Sequence, residues 1–211
     1  MNLIHFYNVL PVPLADSPVK GNVWNRNLVF FRDKHYVIQA ESGRGKTTLL
    51  NIIYGTRKDF RGEVFFDETN VTGLDMNAFA GLRSHTLSYL FQDLRLFPAL
   101  TAWENIEMKP GNKFTRAHVE SWAEKLGVAA QLHKPCGKLS LGQQQRIAAI
   151  RALVQPFSWL LLDEPFSHLD DRNAGLMMEL IQERCREEGA GILATSLGTN
   201  HRFVNFETRE V

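Results

Sequence analysis

Segments rich in β-branched and aromatic residues at Leu3 to Val9, Asn27 to Phe31 and His35 to Gln39 predict three strands. The turn-prone stretches Pro11-Val12-Pro13 and Arg32-Asp33-Lys34 separate them. The period then changes. From Thr47 to Tyr54, Leu49, Ile52 and Ile53 share one helical face, and the helix is predicted to stop at Gly55. Gly62 to Asp67 returns to strand character. From Gln92 to Leu139 the texture is helix and loop, with Val119, Trp122, Ala123 and Leu126 at i, i+3, i+4 and i+7. This stretch is expected to form an inserted helical lobe. A helix is predicted over Gly142 to Val154, and the apolar run Phe157 to Leu162 has the character of a buried parallel strand. Asp171 to Glu188 follows as a helix ended by Gly189, and Gly191 to Thr195 as a last buried strand. Strand and helix alternate, so the fold class is α/β with a mostly parallel sheet.

Composition narrows the picture without redirecting it. At 211 residues the chain suits one large domain, or one domain with an inserted lobe. Hydrophobic residues at 44% and charged residues at 22% exclude a disordered or fibrous chain. With 24 Lys+Arg against 23 Asp+Glu, no global charge draws it to nucleic acid or an anionic membrane, and no nucleic-acid partner is expected. The densest apolar stretch, Trp159 to Leu162, is ended by Asp163 and Glu164, so no membrane span is expected. The N-terminus lacks signal-peptide features, which makes the cytoplasm the expected compartment. Cys136 and Cys185 read as reduced thiols, and the seven histidines show no metal-ligand spacing.

The sharpest local feature is Glu41-Ser42-Gly43-Arg44-Gly45-Lys46-Thr47-Thr48, between a predicted strand and a predicted helix. In that context backbone N–H groups of a glycine-rich turn and the positive end of the next helix hold phosphate oxygens. Lys46 is expected on the β- and γ-phosphates, and the Thr47 hydroxyl on Mg²⁺. Ala40 stands where the usual pattern has its first glycine.

A second feature is Trp159-Leu160-Leu161-Leu162-Asp163-Glu164-Pro165. An apolar strand ending in two carboxylates carries them to the edge of the sheet where open α/β folds bind ligands. Asp163 is expected in the Mg²⁺ shell and Glu164 as the general base that polarises the attacking water. Between the two features lies Leu139-Ser140-Leu141-Gly142-Gln143-Gln144-Gln145-Arg146, where Ser140 and Gln143 have capping-box spacing. A helix starting there presents a positive dipole end that suits an anion.

Taken together, these motifs in this order resemble the ATP-binding cassette family, specifically a nucleotide-binding subunit of an ABC transporter. The resemblance covers nearly the whole chain. It implies a P-loop NTPase core with an antiparallel N-terminal β part, core residues 1–91 and 155–211, and a helical subdomain over about 92–154. It further implies two cassettes head to tail around two ATP, with Ser140, Leu141, Gly142 and Gln143 of one meeting the γ-phosphate held by the other. A homodimer is the expected form. Gln92 matches the glutamine that senses Mg²⁺ and the attacking water. Ser167-His168-Leu169-Asp170 matches the loop crossing the dimer interface, and Leu96 to Ile106 the region that docks a membrane subunit. A place on the cytoplasmic face of the membrane follows from that docking. The subgroup suggested is that of lipoprotein release, cell division and macrolide efflux.

Besides Ala40, three departures qualify the resemblance. Leu141 replaces a glycine of the family signature. Ser196 stands where the family has its switch histidine, removing an imidazole from the γ-phosphate; the loss of one such donor lowers a rate by about 10²–10³. Leu10-Pro11-Val12-Pro13-Leu14 holds no aromatic to stack on adenine, leaving Tyr7 and Trp24 as possible substitutes. Three functions follow from this: an ATPase driving a separate membrane protein, a nucleotide-gated dimerisation module with negligible turnover, and an ABC ATPase of ribosomes or DNA. Glu164 favours the first over the second, and the lack of a second cassette or a long coiled-coil insertion disfavours the third.

Overall fold

The computed structural model describes residues 1–15, 21–39, 45–109, 114–197 and 202–210. Two sheets organise them. The first is antiparallel, in the order β2-β1-β4-β5, from β1 (Leu3–Pro11), β2 (Asn27–Phe31), β4 (Phe60–Phe66) and β5 (Thr69–Asn70). The second contains β3 (His35–Gln39), β6 (Leu87–Leu90), β7 (Trp159–Asp163), β8 (Gly191–Ser196) and β9 (Glu207–Glu210) in the order β6-β7-β8-β3-β9. Each of its ladders is parallel. Six helices connect the strands: α1 (Lys46–Ile53), α2 (Met76–His85), α3 (Ala102–Glu107), α4 (Arg116–Lys125), α5 (Leu141–Leu153) and α6 (Asp171–Glu188).

The period-two geometry of a strand divides the core in two. Along β7, Trp159 and Leu161 face one side and Leu160 and Leu162 the other; along β3, Tyr36 and Ile38 oppose Val37. On the first side the sheet packs with Leu49, Ile52 and Ile53 of α1 and with Ile4, Phe6 and Phe30 of the antiparallel sheet. On the second lie Ile147 and Ile150 of α5, Met177 and Ile181 of α6, and Ile106 and Val119 of α3 and α4. Burial on both faces explains the unbroken apolar run of β7. Each such Leu or Ile contributes about 1.5–3 kcal/mol of transfer free energy.

The helix over Asp171–Glu188 has the predicted bounds, while α1 and α5 each begin one residue earlier than predicted. β1 runs on to Pro11. Four elements carry no pattern of their own and were not expected. The four residues of β6 are all buried, which leaves nothing to alternate; β9 reads Glu-Thr-Arg-Glu; β5 is two residues long; and α2 buries only Phe79. In chain order the helices α3, α4 and α5 follow the edge strand β6 and precede its neighbour β7.

Cys136 and Cys185 are free and buried, and burial pushes the Cys185 thiol up to about 12. Among the described residues no helix is long and apolar enough to cross a membrane.

Candidate functional site

The predicted phosphate loop is described from Gly45 onward; Ala40, Glu41, Ser42, Gly43 and Arg44 lie outside the described residues. Gly45 caps α1 with φ +96, in the left-handed region that favours glycine. A Cβ there would sit 3.1 Å from Leu14 Cδ1 and 3.2 Å from Trp24 Nε1. Gly45 has no side chain to cap this helix and no carboxylate occupies its first turn, so the positive end of α1 suits an anionic ligand.

Lys46, buried at the start of α1, places Nζ 4.0 Å from Glu164 Oε1. Gln92 Nε2 donates to Glu164 Oε2 at 3.4 Å. These three side chains, with Thr47, Thr48, Gly45, Arg57, Pro11, Pro13 and Leu14, line a pocket of about 280 Å³. Burial raises the pKa of the Glu164 carboxyl, with Lys46 opposing and Asp163 adding to the rise. The backbone of Glu164 has φ +47, a region sparsely used by non-glycine residues and concentrated at functional sites. Its N–H donates to Thr195 Oγ1 at 3.0 Å, and that hydroxyl donates to Asp163 Oδ1 at 2.6 Å. Asp163, 2% exposed, also accepts from the Tyr89 hydroxyl at 3.3 Å. Thr195 and Tyr89 thus orient the Asp163 carboxylate, and Thr195 also holds the backbone of Glu164, roles the primary sequence does not signal.

The region around α5 is built differently. Ser140 accepts from Gln143 N–H at 3.3 Å while Gln143 Oε1 accepts from Ser140 N–H at 3.0 Å, closing the expected capping box. Leu141 is 56% exposed beside it. A Cβ on Gly142 would fall 2.8 Å from the His168 carbonyl oxygen, so only glycine allows α5 to sit this close to the Ser167–Asp170 loop. Gln145 ties both to the acidic strand end. Its amide donates to the Glu164 carbonyl at 3.4 Å and accepts from His168 N–H at 3.0 Å. Ser167 Oγ lies 3.0 Å from His168 Nδ1. Asp170 caps α6 through the Asn173 N–H at 2.8 Å, and hydrogen bonds from Asn173 hold its carboxyl below the usual range. Arg146 reaches Gly142 O, Leu126 O and Asn173 Oδ1. Neither Ser140–Gln143 nor Leu169 and Asp170 line the phosphate-side pocket.

Ser196 ends β8, is buried, and lines a separate pocket of about 160 Å³ with Glu164, Ser167 and Arg202. His201 lies outside the described residues. Tyr7 is half-exposed on the antiparallel sheet and Trp24 is buried behind Gly45, and neither lines the pocket of Lys46 and Glu164. Along the expected docking segment, buried Asn105 accepts from Phe97 N–H at 2.8 Å and donates to the Thr101 carbonyl at 2.9 Å. Exposed Phe97 and Met108 border a groove of about 290 Å³ with Phe91, Arg95, Lys109 and Arg151.

The family model described as "ABC transporter" matches residues 24–167. The lipoprotein-releasing system ATP-binding protein LolD of Saccharophagus degradans is 37% identical over 197 residues, covering 90% of this chain and 84% of the relative. The ABC transporter ATP-binding protein YtrE of Bacillus subtilis is 35% identical over 159 residues, 72% of this chain and 68% of the relative. Among solved structures, the dimeric, post-hydrolysis form of the ATP-binding cassette MJ0796 bound to ADP and Pi has a TM-score of 0.76 at 29% identity. That match covers 92% of this chain and 87% of the other. The chain is therefore an ATP-binding cassette of the ABC transporter family.

Proposed function

We propose that this chain binds Mg-ATP in the pocket of Lys46, Thr47, Gln92 and Glu164, hydrolyses it as one half of a head-to-tail homodimer, and drives a separate membrane subunit. The observation that carries the reading is the convergence of Lys46 and Gln92 on Glu164 in one pocket, while the capped start of α5 stays outside that pocket. A capped α5 N-terminus that lines no part of the pocket of Lys46 and Glu164 fits use in trans, with Ser140, Leu141, Gly142 and Gln143 facing the partner's ATP. The apolar face of Leu141 suits such an interface. The dimeric form of the related cassette supports it.

Glu41, Ser42, Gly43, Arg44, Gly45 and Thr48 complete the phosphate cradle in this reading. Lys46 neutralises phosphate charge, and Glu164 accepts the proton of the attacking water. Thr47, Gln92 and Asp163 are all hard oxygen donors, the set that suits Mg²⁺, which when bound would neutralise charge building on the phosphates. Residues 92–154 form the helical subdomain and 1–91 with 155–211 the core. The groove bordered by Phe97 and Met108 receives the membrane subunit, which places the chain on the cytoplasmic face of the membrane.

Ser196 favours a second reading in one respect. A serine hydroxyl there provides no imidazole for the γ-phosphate, so turnover by the isolated chain is slow, and in the limit the protein is a nucleotide-gated dimerisation module. The deciding experiment compares Mg-ATP turnover and oligomeric state of the wild type and Glu164→Gln. Turnover lost in the variant, with an ATP-dependent dimer accumulating, is the expected result. A variant that stays monomeric at saturating Mg-ATP overturns the sandwich.

A further inference from the structure

Beside the phosphate cradle, the same pocket opens onto a wall built by Pro11, Pro13 and Leu14 and onto the side chain of Arg57. Pro13 is exposed and Arg57 is partly so, with 29% of its side chain accessible. The two walls are fastened to each other. Val12 N–H donates to the Asp59 carbonyl at 2.9 Å, and Pro11 stands opposite Phe60 in the β1–β4 ladder. Arg57 is held by Asp59, Nε to Oδ1 at 2.7 Å and Nη2 to Oδ2 at 2.9 Å, while Nη1 donates to Thr48 Oγ1 at 3.1 Å. The guanidinium is thereby oriented by the helix that follows the phosphate loop and by the turn that carries the proline wall.

We infer that Arg57 and the proline wall form the site for the nucleotide base, which lies against the plane of the guanidinium on one side and against Pro11 and Pro13 on the other. The inference rests on the reading of this pocket as a nucleoside triphosphate site. Three of the five N–H donors of Arg57 are engaged and its charge is offset by Asp59, so what remains to offer a ligand is chiefly its flat, weakly hydrated face. A flat cation is attracted to an aromatic ring system, and proline rings give it an apolar floor. Tyr7 and Trp24 do not line the pocket, and no other aromatic does so among the described residues. Thr48, bonded to Arg57, belongs to the first turn of the helix that receives the phosphates, so the base follows directly from them. Pro11, Pro13 and Leu14 have no side-chain hydrogen-bonding group, so the site grips the face of a base without reading its edge. ATP and GTP are held by the same contact.

The test is a calorimetric titration of the full-length protein with ATP, GTP and inorganic tripolyphosphate, without magnesium so that turnover does not consume ligand. Wild type, Arg57→Ala, Arg57→Lys and Pro13→Ala are compared. Arg57→Ala is expected to weaken ATP and GTP alike by about threefold to thirtyfold and to leave tripolyphosphate within twofold. Arg57→Lys keeps the charge but not the plane and is expected to behave like Arg57→Ala. Pro13 lies on an exposed turn, so Pro13→Ala tests the opposite wall even if loss of the Asp59 pair disturbs folding of the Arg57 variants. It too is expected to weaken ATP and spare tripolyphosphate. Equal weakening of ATP and tripolyphosphate by Arg57→Ala would make Arg57 a phosphate contact and overturn the base site. So would ATP affinity unchanged in both Arg57→Ala and Pro13→Ala, or a loss confined to one of the two nucleotides. A wild type that binds neither tripolyphosphate nor ATP fails the phosphate-site reading itself, which separates that failure from failure of the base site.

Discussion

The two acidic ends of the site are held in opposite ways. Glu164 is drawn into a pocket where its contacts are long, 4.0 Å to Lys46 and 3.4 Å to Gln92, and burial raises its pKa. Asp170 sits on the surface with two 2.8 Å hydrogen bonds from Asn173, which lower its pKa. Among the described residues the first carboxylate has only these long contacts, which leaves it suited to water and ligand. The second is consumed in ending one loop and starting α6. The same contrast extends to their surroundings: the phosphate side is an open pocket, whereas α5 and the Ser167–Asp170 loop are closed by Gln145, Arg146 and the capping box. One side offers an open pocket, and the other presents a preformed surface.

The largest effect is expected from removing the cation of the open side. Lys46→Ala should lower ATP affinity by about 100-fold or more, since a buried charge-assisted contact to phosphate is lost; near-normal binding in calorimetry would show that the pocket is not the phosphate site. Next comes the titration of Glu164. A base must be ionised to accept a proton, and its raised pKa moves the acid limb of turnover above the usual carboxylate range. Rate should fall about tenfold per pH unit below that pKa, and a profile flat down to pH 4 would remove Glu164 from the base role. Stability has opposite signs at the two carboxylates. The raised pKa of Glu164 means the folded state binds its proton more tightly, so this group destabilises once pH rises above its unfolded value. Asp170, with its pKa lowered, stabilises above its unfolded value, and that contribution is lost as pH falls through the folded one.

On the closed side, Gln145→Ala strands the His168 N–H and the Glu164 carbonyl. A stability loss of about 1–3 kcal/mol in urea denaturation is expected, with turnover reduced more than ATP affinity. An unchanged midpoint would mean that the two elements do not depend on this amide. The smallest effect is expected from Ser196→His, a rise in turnover of up to about tenfold in a coupled phosphate-release assay. No rise would mean that another group or another step sets the rate.

How far the site could be foreseen depends on whether its chemistry is local. Lys46, Asp163 and Glu164 announce themselves because a strand-to-helix turn and a strand end concentrate the required residue types within a few positions. Ser140 and Gln143 do so because capping needs a fixed spacing of three. Thr195, Tyr89 and Gln145 act through contacts with residues 19 to 74 positions away, and Arg57 reaches back nine positions to Thr48; no local pattern encodes such pairings. A glutamine repeated three times in a row gave no reason to single out Gln145. The only hint at Arg57 is indirect, in the absence of an aromatic from Leu10 to Leu14. Among the elements, β7 and α6 were visible in their apolar patterns, while β6 and β9 exist through pairing with strands that already stand.

The position of β3 between β8 and β9 bears on how this chain comes into being. Tyr36 and Ile38 belong to the first fifth of the polypeptide, yet both neighbours of their strand lie beyond residue 190. During synthesis, Lys46 and the helix behind it emerge long before the strands that flank β3. Until β8 and β9 have been made, that strand exposes two unpaired edges and a half-covered apolar face, the features that invite misassociation. Such distant pairings also slow folding, because the loops they close span most of the chain. A nascent cassette therefore depends on protection until β8 and β9 have been made, and removal of those two strands exposes both edges of β3.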